Sequence, residues 1–304
     1  MKKYGHVLAD SPGIKHTGEQ LAFPFRVCYE TFSGREKDSF PFHWHPEVQF
    51  TYVAEGTMEY QTNNDFCRVS AGNGIFINSQ VLHMAGNLSA NSDCRYILFL
   101  LDPVIIYGFA ASPVYQKYVE PIYANPEFFA KYLDSNSPFG SKMLSLLLET
   151  ASLYQAGESG SELLITEKLC ALWYLLYQET APLLNKKETG SAAEIDRLKM
   201  AISFIQSHYS EDITLNDIAG SCHISKSECC HLFKRTLRQT PFSYLLDYRI
   251  KQSLPLLSGS NRSMTEIAIG LGFHGSSYFA ETFRKIMDCS PSAYRKMHIS
   301  HENG

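Results

Sequence analysis

Residues 263–296 read SMTEIAIGLGFHGSSYFAETFRKIMDCSPSAYRK, and local signals in this stretch predict two helices. Ser263 and Glu266 have the spacing of a capping box, which predicts that the first helix begins there. Gly270 and Gly272 predict a tight turn, and apolar residues at helical spacing resume directly after it. A helix, a short turn and a second helix form the helix-turn-helix arrangement, whose second helix can enter a DNA major groove.

The same pattern occurs a second time upstream, in residues 214–238. The two copies are 50 residues apart when the distance is counted from Tyr244 to Tyr294. An internal repeat indicates two copies of one structural unit, so we expect two helix-turn-helix units in one domain. The matching pieces are Asp217-Ile-Ala with Glu266-Ile-Ala, Leu232-Phe-Lys with Thr282-Phe-Arg, and Pro241-Phe-Ser-Tyr with Pro291-Ser-Ala-Tyr.

The second copy resembles the signature of the AraC/XylS transcription regulators. The resemblance covers roughly the last hundred residues. It implies a DNA-binding domain with two helix-turn-helix units, which we place at residues 194–298. The pieces that carry it are Glu266-Ile-Ala, Gly272-Phe, Ser277-Tyr-Phe, Phe283-Arg-Lys and Ser290-Pro-Ser-Ala-Tyr-Arg.

Charge agrees with DNA binding only weakly. Residues 1–180 carry 12 Lys and Arg against 19 Asp and Glu, a net charge of −7, and residues 181–304 carry 15 against 12, a net charge of +3. A weakly basic C-terminal part suits DNA but does not identify it, so the interpretation depends on the motif. No apolar run follows the first residues and none approaches the ~20 residues of a membrane span, so we expect a cytoplasmic protein.

The eight cysteines include no C-x-x-C pair, which argues against a zinc cluster and against a disulfide framework. Reduced thiols are the simpler interpretation. Cys229 and Cys230 lie in the predicted second helix of the first unit, and a redox-sensing role is the alternative for them.

The N-terminal part predicts short strands over residues 21–32 and 47–101, a pattern that favours a barrel or a sandwich. Two pieces of it resemble the two motifs of the cupin barrel. The resemblance implies a cupin-like effector-binding domain over residues 1–140, and the fold class of the whole chain is then α+β. The residues that carry it are His43, His45, Gln49 and Gly56, followed by Gly72, His83 and Asn87.

In cupins the matching positions can hold a divalent metal, with a glutamate where this chain has Gln49. An amide is a poorer ligand than a carboxylate, although Glu47, two residues earlier, could take its place. We therefore expect no cofactor, and we favour histidines that pack and hydrogen-bond with Trp44 around the mouth of a barrel. The candidate effector-binding residues are His43, Trp44, His45, Glu47, Gln49 and His83, and the weaker candidate metal ligands are His43, His45, Gln49 and His83.

The sequence of residues 141–180 predicts a hairpin of two apolar helices, which are separated by a break at residues 157–160. The helices are apolar on more than one face, so one side should pack on the barrel. The other side could mediate dimerisation, as the family resemblance implies, or be buried within the monomer. A linker is predicted at residues 181–193, and Pro255 predicts a kink or an early end near Ser253 in the helix that joins the repeats.

The exposed face of each second helix supplies the candidate DNA contacts. Ser225 and Glu228 predict a capping box at the start of the first one. The resemblance places Ser227 and His231 at base edges, and the basic residues suit phosphates. Glu281 stands where the family often has arginine, and it could accept from a cytosine amino group, remain solvated, or pair with Arg284 or Lys285. The candidates are Ser227, Cys230, His231, Lys234, Arg235 and Arg238 in the first unit, and Ser276, Ser277, Glu281, Arg284 and Lys285 in the second.

Together with the resemblances, these patterns predict an effector-responsive transcription regulator of carbohydrate or related small-metabolite genes, and not an enzyme. The expected partners are a double-stranded DNA operator, a small-molecule effector with a sugar as first candidate, a second copy in a homodimer, and RNA polymerase. One alternative is a metal-dependent cupin enzyme fused to a DNA-binding domain, which would need a tightly held metal with an open coordination position. A cysteine-based repair protein with the same DNA-binding fold is the other, but the chain lacks its zinc–cysteine arrangement.

Overall fold

The computed structural model describes residues 23–32, 39–62, 65–87, 93–125, 128–182 and 192–299. They belong to two compact units, which divide between residues 190 and 191. Most of the predicted linker lies outside the described residues. Within the described part, no helix is long and apolar enough to cross a membrane.

The N-terminal unit is built on two antiparallel sheets. Its described strands are β1 (Phe25–Phe32), β2 (Ser39–His43), β3 (Val48–Glu55), β4 (Thr57–Thr62), β5 (Asp65–Ser70), β6 (Gly74–Ile77), β7 (His83–Gly86), β8 (Cys94–Leu101) and β9 (Ala130–Leu133). One sheet has the order β1-β8-β3-β6-β9 and the other has the order β2-β7-β4-β5. The sequence does not predict β2 and β9, because β2 is interrupted by a proline and β9 is only four residues long.

Strand β3 is buried on both of its faces along its first half. Val48 and Phe50 join an apolar core that the sheet shares with the helical hairpin. Gln49 and Thr51 face the other way, where both contact Tyr60 of the second sheet. Alternation along this one strand therefore sends apolar side chains to one core and polar side chains into the space between the sheets.

The helical part of this unit contains α1 (Val104–Tyr107), a π-helical turn (Tyr115–Val119) that continues into α2 (Glu120–Tyr123), α3 (Pro138–Ala156) and α4 (Ser161–Thr180). Ser137 caps α3 by accepting a hydrogen bond from the Gly140 amide, and Gly157 ends the helix in the left-handed conformation. The inner side of the α3–α4 hairpin packs on the five-stranded sheet, as the sequence predicts.

The C-terminal unit is all helical. Its helices are α5 (Ala192–His208), α6 (Leu215–Ser221), α7 (Lys226–Leu237), α8 (Pro241–Gly259), α9 (Met264–Gly270), α10 (Ser276–Met287) and α11 (Pro291–Ile299). The pairs α6–α7 and α9–α10 are the two predicted helix-turn-helix units, and α8 joins them. The α+β fold class is confirmed.

The first helix of each unit begins at a complete capping box, Ser263 with Glu266 and Thr214 with Asp217. At the start of α7 the predicted box is only half formed. The Ser225 hydroxyl accepts from the Glu228 amide, but the Glu228 carboxylate pairs with Arg197 of α5 instead of returning to Ser225. The second half of that prediction is wrong, because a tertiary ion pair competes for the carboxylate.

Helix α8 continues past Pro255 to Gly259, so the predicted early end near Ser253 is wrong. Pro255 is exposed, whereas Ile250, Ser253 and Leu257 on the inner side of the helix are buried. The hydroxyls of Ser258 and Ser260 donate to carbonyls of the last turns. Burial of the inner side and these hydrogen bonds offset the helix bond that proline cannot make.

Candidate DNA interface and effector site

The recognition helix of the first unit, α7, separates its apolar and polar faces as the sequence predicts. Cys229, Leu232 and Phe233 are buried in the unit. The predicted DNA contacts Ser227, His231, Lys234, Arg235 and Arg238 are exposed, and Cys230 is half-buried among them. The positions 227, 230, 231 and 234 lie on one helix face, because residues three and four apart are neighbours.

The second recognition helix, α10, repeats this arrangement. Phe279 and Phe283 are fully buried. The helix begins at Ser276, and Gly275 precedes it without a side-chain cap. Of the predicted contacts, Ser276 is half-buried, and those that are exposed are Ser277, Glu281, Arg284 and Lys285.

Two of the candidate charges differ in their surroundings. Arg235 forms an ion pair with Glu194 of α5, so part of its charge is already compensated within the protein. Among the residues that the structure describes, Glu281 forms no ion pair within 4.0 Å. The predicted pairing of Glu281 with Arg284 or Lys285 is therefore not found, and a solvated or base-directed carboxylate is left.

The turns of the two units have the same backbone path but different residues. Gly272 has φ +79°, and His223 takes the matching place in the first unit with φ +58°. In both turns the amide of the following residue, Phe273 or Ile224, bonds back to a helix carbonyl at 3.0 or 3.1 Å. The first turn thus adopts the left-handed conformation at His223, without the glycine that would predict this conformation from the sequence.

Burial raises the pKa of the Cys229 thiol to about 12. A thiol with so high a pKa carries almost no thiolate at neutral pH and is a poor nucleophile. The redox-sensing alternative therefore has no support at Cys229.

Arg249 of α8 is a buried cation that the sequence does not single out. Only 7% of its surface is exposed. Its guanidinium donates to the carbonyls of Tyr209 (2.6 Å) and Glu211 (2.7 Å), and it lies 5.7 Å from the ring centre of Phe273. A Cβ on Gly272 would lie 2.6 Å from the same guanidinium, so glycine is needed there for close approach as well as for its positive φ. Arg249 thus connects α8 to the loop after α5 and to the turn of the second unit.

The predicted effector residues come from both sheets of the N-terminal unit. His43 ends β2, His83 begins β7, Gln49 lies on β3, and His45 lies just before β3. The imidazole rings of His43 and His83 have centroids 4.3 Å apart, and those of His45 and His83 lie 5.2 Å apart. His43 and His83, which are 40 positions apart in the sequence, therefore belong to one cluster.

Gln49 is the centre of this cluster. Its Oε1 lies 3.2 Å from His45 Nε2 and 3.3 Å from His83 Nε2. Its Nε2 lies 3.2 Å from Thr51 Oγ1 and 3.1 Å from Tyr60 Oη, which are 2.7 Å from each other. Sequence reasoning missed Thr51 and Tyr60. The one signal that could have identified Thr51 is the alternation of side chains along β3, which places it on the same face as Gln49.

The predicted position of the cluster at the mouth of a barrel needs correction. His45, Gln49 and His83 are 3%, 4% and 1% exposed, so they lie between the sheets, and only His43 and Trp44 are half-exposed at the edge. The interior position follows from β3, which is covered on both faces.

The predicted substitution of Glu47 for Gln49 is also wrong. The Glu47 carboxylate lies 3.6 Å from His45 Nδ1, whereas Gln49 lies at the Nε2 of the same ring. A divalent cation would find its ligands elsewhere: His43, His45 and His83 each offer a nitrogen, all within 4.8 Å of one another. Burial lowers the pKa of His45 and lowers that of His83 further, so both rings are neutral, the form in which histidine binds a metal. This donor set fits a divalent cation.

Comparisons with known proteins find two matching families and several similar proteins. Residues 34–100 match the cupin domain family, and residues 218–297 match the helix-turn-helix domain family. The chain is 34% identical to the uncharacterized HTH-type transcriptional regulator YdeC of Bacillus subtilis, over 89% of this chain and 91% of that protein. It is 23% identical to the melibiose operon regulatory protein of Escherichia coli, over 84% of this chain and 83% of that protein. Among solved structures, ToxT of Vibrio cholerae is similar with a TM-score of 0.47 and 15% identity, over 91% of this chain and 99% of that one.

Proposed function

Because the chain belongs to the AraC family of transcription regulators, we propose that its two helix-turn-helix units read one operator while its cupin domain senses a small metabolite. The observation that carries the proposal is the pair of matched recognition helices, each with a buried aromatic face and an exposed polar face. In this proposal residues 194–298 form the DNA-binding domain, and α7 and α10 enter adjacent major grooves about one helical turn, ~34 Å, apart. The protein would act in the cytoplasm and could contact RNA polymerase beside the operator.

For the effector we propose a sugar or a sugar derivative. The cluster offers neutral hydrogen-bonding groups, and Trp44, which is adjacent in the sequence to His43 and His45, is half-exposed. Polar groups together with an aromatic ring suit a small polar ligand. Similarity to a melibiose operon regulator supports the same class of ligand. We assign no catalytic step to the cluster, and the cupin-enzyme alternative would require turnover of a ligand.

Trp44 makes this proposal directly testable, because the chain has only two tryptophans and the other one, Trp173, is buried in the hairpin core. In a Trp173→Phe protein we expect melibiose or a related sugar to change the Trp44 emission saturably. His43→Ala should weaken that binding about tenfold, the effect of one lost hydrogen bond of ~1.4 kcal/mol. The exposed His274 provides a matched control, since His274→Ala should leave the titration unchanged. A panel of sugars and sugar acids that leaves the emission unaltered would remove sugars as the effector class.

The outer side of α4 is our candidate dimer surface. Leu163 is 77% exposed and Tyr174 is 60% exposed, and Cys170 lies between them on the same helix face. Residues seven and eleven positions apart differ by two and three helical turns, so these side chains form one stripe. Contiguous exposed apolar side chains of this kind mark interaction surfaces. We propose that the stripe pairs with its copy in a second chain.

We expect Leu163→Asp to weaken self-association about tenfold, or ~1.4 kcal/mol, because it places a charge in the apolar stripe. Sedimentation equilibrium over a range of concentrations measures the effect. Gln155→Asp introduces the same charge on exposed α3 and should leave association unchanged. Equal association of wild type and Leu163→Asp would exclude this stripe as the interface.

A further inference from the structure

We propose that Glu194 sets the affinity of the first helix-turn-helix unit for DNA, because its carboxylate occupies Arg235 in place of a DNA phosphate. Arg235 then stays paired with Glu194 in the DNA complex, and the first unit makes one phosphate contact fewer than its sequence predicts. The inference rests on the proposed entry of α7 into a major groove. It goes beyond that proposal because it gives α5, the helix before the unit, a role in setting the strength of DNA binding.

The first step is the pair of basic residues at the end of α7. Lys234 and Arg235 both lie in the last turn, and both are exposed. Consecutive residues of a helix point about 100° apart, so the two side chains leave α7 in different directions. Arg235 Nη2 donates to Glu194 Oε2 at 2.5 Å, whereas Lys234 forms no ion pair within the described part of the chain. Of two adjacent cations, only Lys234 has its charge available to a phosphate.

The second step is the way in which α5 holds the carboxylate in place. Arg197 lies one turn after Glu194 on the same face of α5, and it forms a second ion pair with Glu228 at 3.3 Å. Glu228 and Arg235 are seven residues, or about two turns, apart on α7. The two helices also pack against each other. Because α5 is attached near both ends of α7, Glu194 is already beside Arg235 before any DNA binds.

The third step is the competition between two anions for one guanidinium. Carboxylate and phosphate both accept paired hydrogen bonds from arginine, so they compete for the same donors. A phosphate that took Arg235 would leave the Glu194 carboxylate beside it, and the two negative charges would repel each other. The ion pair itself contributes little stability, since its side chains are 54% and 46% exposed. Its larger effect is on DNA binding, because the unit then depends more on the base contacts of α7.

The second unit provides the contrast. Lys285 lies 50 residues after Arg235, takes the matching place near the end of α10, and is exposed. The preceding helix, α8, also carries a carboxyl group near it: burial raises the pKa of half-buried Asp247, and the charges of Lys251 and Lys285 oppose that rise. Within 4.0 Å, however, Lys285 forms no ion pair with any described residue. Lys285 therefore stays available to a phosphate, whereas Arg235 does not.

The test measures sequence-independent binding, so it does not require the operator. The full chain is titrated by fluorescence anisotropy with a labelled duplex of mixed sequence and about 40 base pairs, which is long enough for two adjacent grooves. The slope of log affinity against log salt reports the number of phosphate contacts. Glu194→Gln should steepen this slope by about 0.9, the value for one phosphate, so its advantage over the wild type should grow about eightfold for each tenfold decrease in salt.

Three further variants separate this effect from a general change of charge. Glu211→Gln removes the same charge from an exposed position of the same unit, and it should leave the slope unchanged. Arg235→Ala should change the wild-type slope little, but it should abolish the gain in a Glu194→Gln background. Lys285→Ala should reduce the wild-type slope by about 0.9, because the matching cation of the second unit is not paired. Circular dichroism shows that each variant is folded.

Two results would overturn the inference. Equal slopes in the wild type and in Glu194→Gln would mean that Glu194 takes no contact from DNA. An Arg235→Ala protein that loses as much slope as Lys285→Ala would mean that Arg235 already reaches a phosphate. Lys234→Ala distinguishes these results from failure of the proposed function. If Lys234→Ala and Lys285→Ala both leave the slope unchanged, the recognition helices do not contact the DNA backbone, and the proposed interface fails together with the inference.

Discussion

Arg249→Met should lower the free energy of unfolding of the DNA-binding unit by about 3 kcal/mol, because it removes two charge-assisted hydrogen bonds to partly buried backbone carbonyls. Methionine keeps most of the apolar contact of the arginine side chain, so the loss reports mainly the guanidinium. The carbonyls of Tyr209 and Glu211 then lack their donor. A partly buried carbonyl that loses its donor without full access to water costs more than the net contribution of the bond itself.

The same variant should also reduce affinity for the operator. Arg249 holds α8 against the loop after α5 and against Phe273 in the turn of the second unit. Because α8 joins the two helix-turn-helix units, loosening this contact lets α10 shift relative to α7. If the two recognition helices enter adjacent grooves, as we propose, they lose affinity when their spacing varies.

Urea unfolding and operator titrations of the full-length protein measure the two effects. Arg262→Met is the control, since Arg262 is exposed and its backbone carbonyl, not its side chain, accepts from Arg295. An Arg249→Met protein as stable as the control would mean that Arg249 is replaceable packing and does not connect the units.

The DNA-binding unit is the part of the structure that the sequence predicts best, and the reason is that its signals are local. Each signal involves residues that are neighbours along one helix, as with the capping residue Ser263 and the apolar spacing of Phe279 and Phe283. The 50-residue repeat then extends the same prediction to the other helix-turn-helix unit. Where a tertiary contact competes with a local signal, the prediction from sequence is wrong. Glu228 pairs with Arg197 instead of completing a capping box, and Pro255 stays within a helix whose inner side is buried.

The candidate effector site is predicted only in part, because its contacts join residues that are distant in the sequence. The sequence points to the histidines and Gln49 through a motif, but it cannot show that Tyr60, eleven residues from Gln49, reaches the same amide from another sheet. Register between strands decides this contact, and register depends on the complete sheet. Arg249 is missed in the same way, because its partners lie about 40 residues earlier in the chain.

The difference between base reading and phosphate binding gives the last prediction. His231 and Lys234 lie on one exposed face of α7, and neither forms an ion pair among the residues that the structure describes. We expect His231→Ala to lose about 1–3 kcal/mol of discrimination at one half of the operator, since a hydrogen bond to a base edge distinguishes base pairs. Lys234→Ala should weaken all sequences alike and reduce the salt slope by about one, because a phosphate contact releases counterions whatever the sequence.

Titrations over a range of salt concentrations, on the operator and on operators with single base changes, separate these two behaviours. Arg235→Ala is the matched control on the same helix, because Arg235 is already paired with Glu194 and should contribute less than Lys234. If His231→Ala loses affinity equally on every sequence, His231 contacts the backbone and the base-reading role moves to Ser227 or Cys230. If Arg235→Ala lowers the salt slope as much as Lys234→Ala, its ion pair with Glu194 opens on binding and the helix presents one more phosphate contact than the free protein shows.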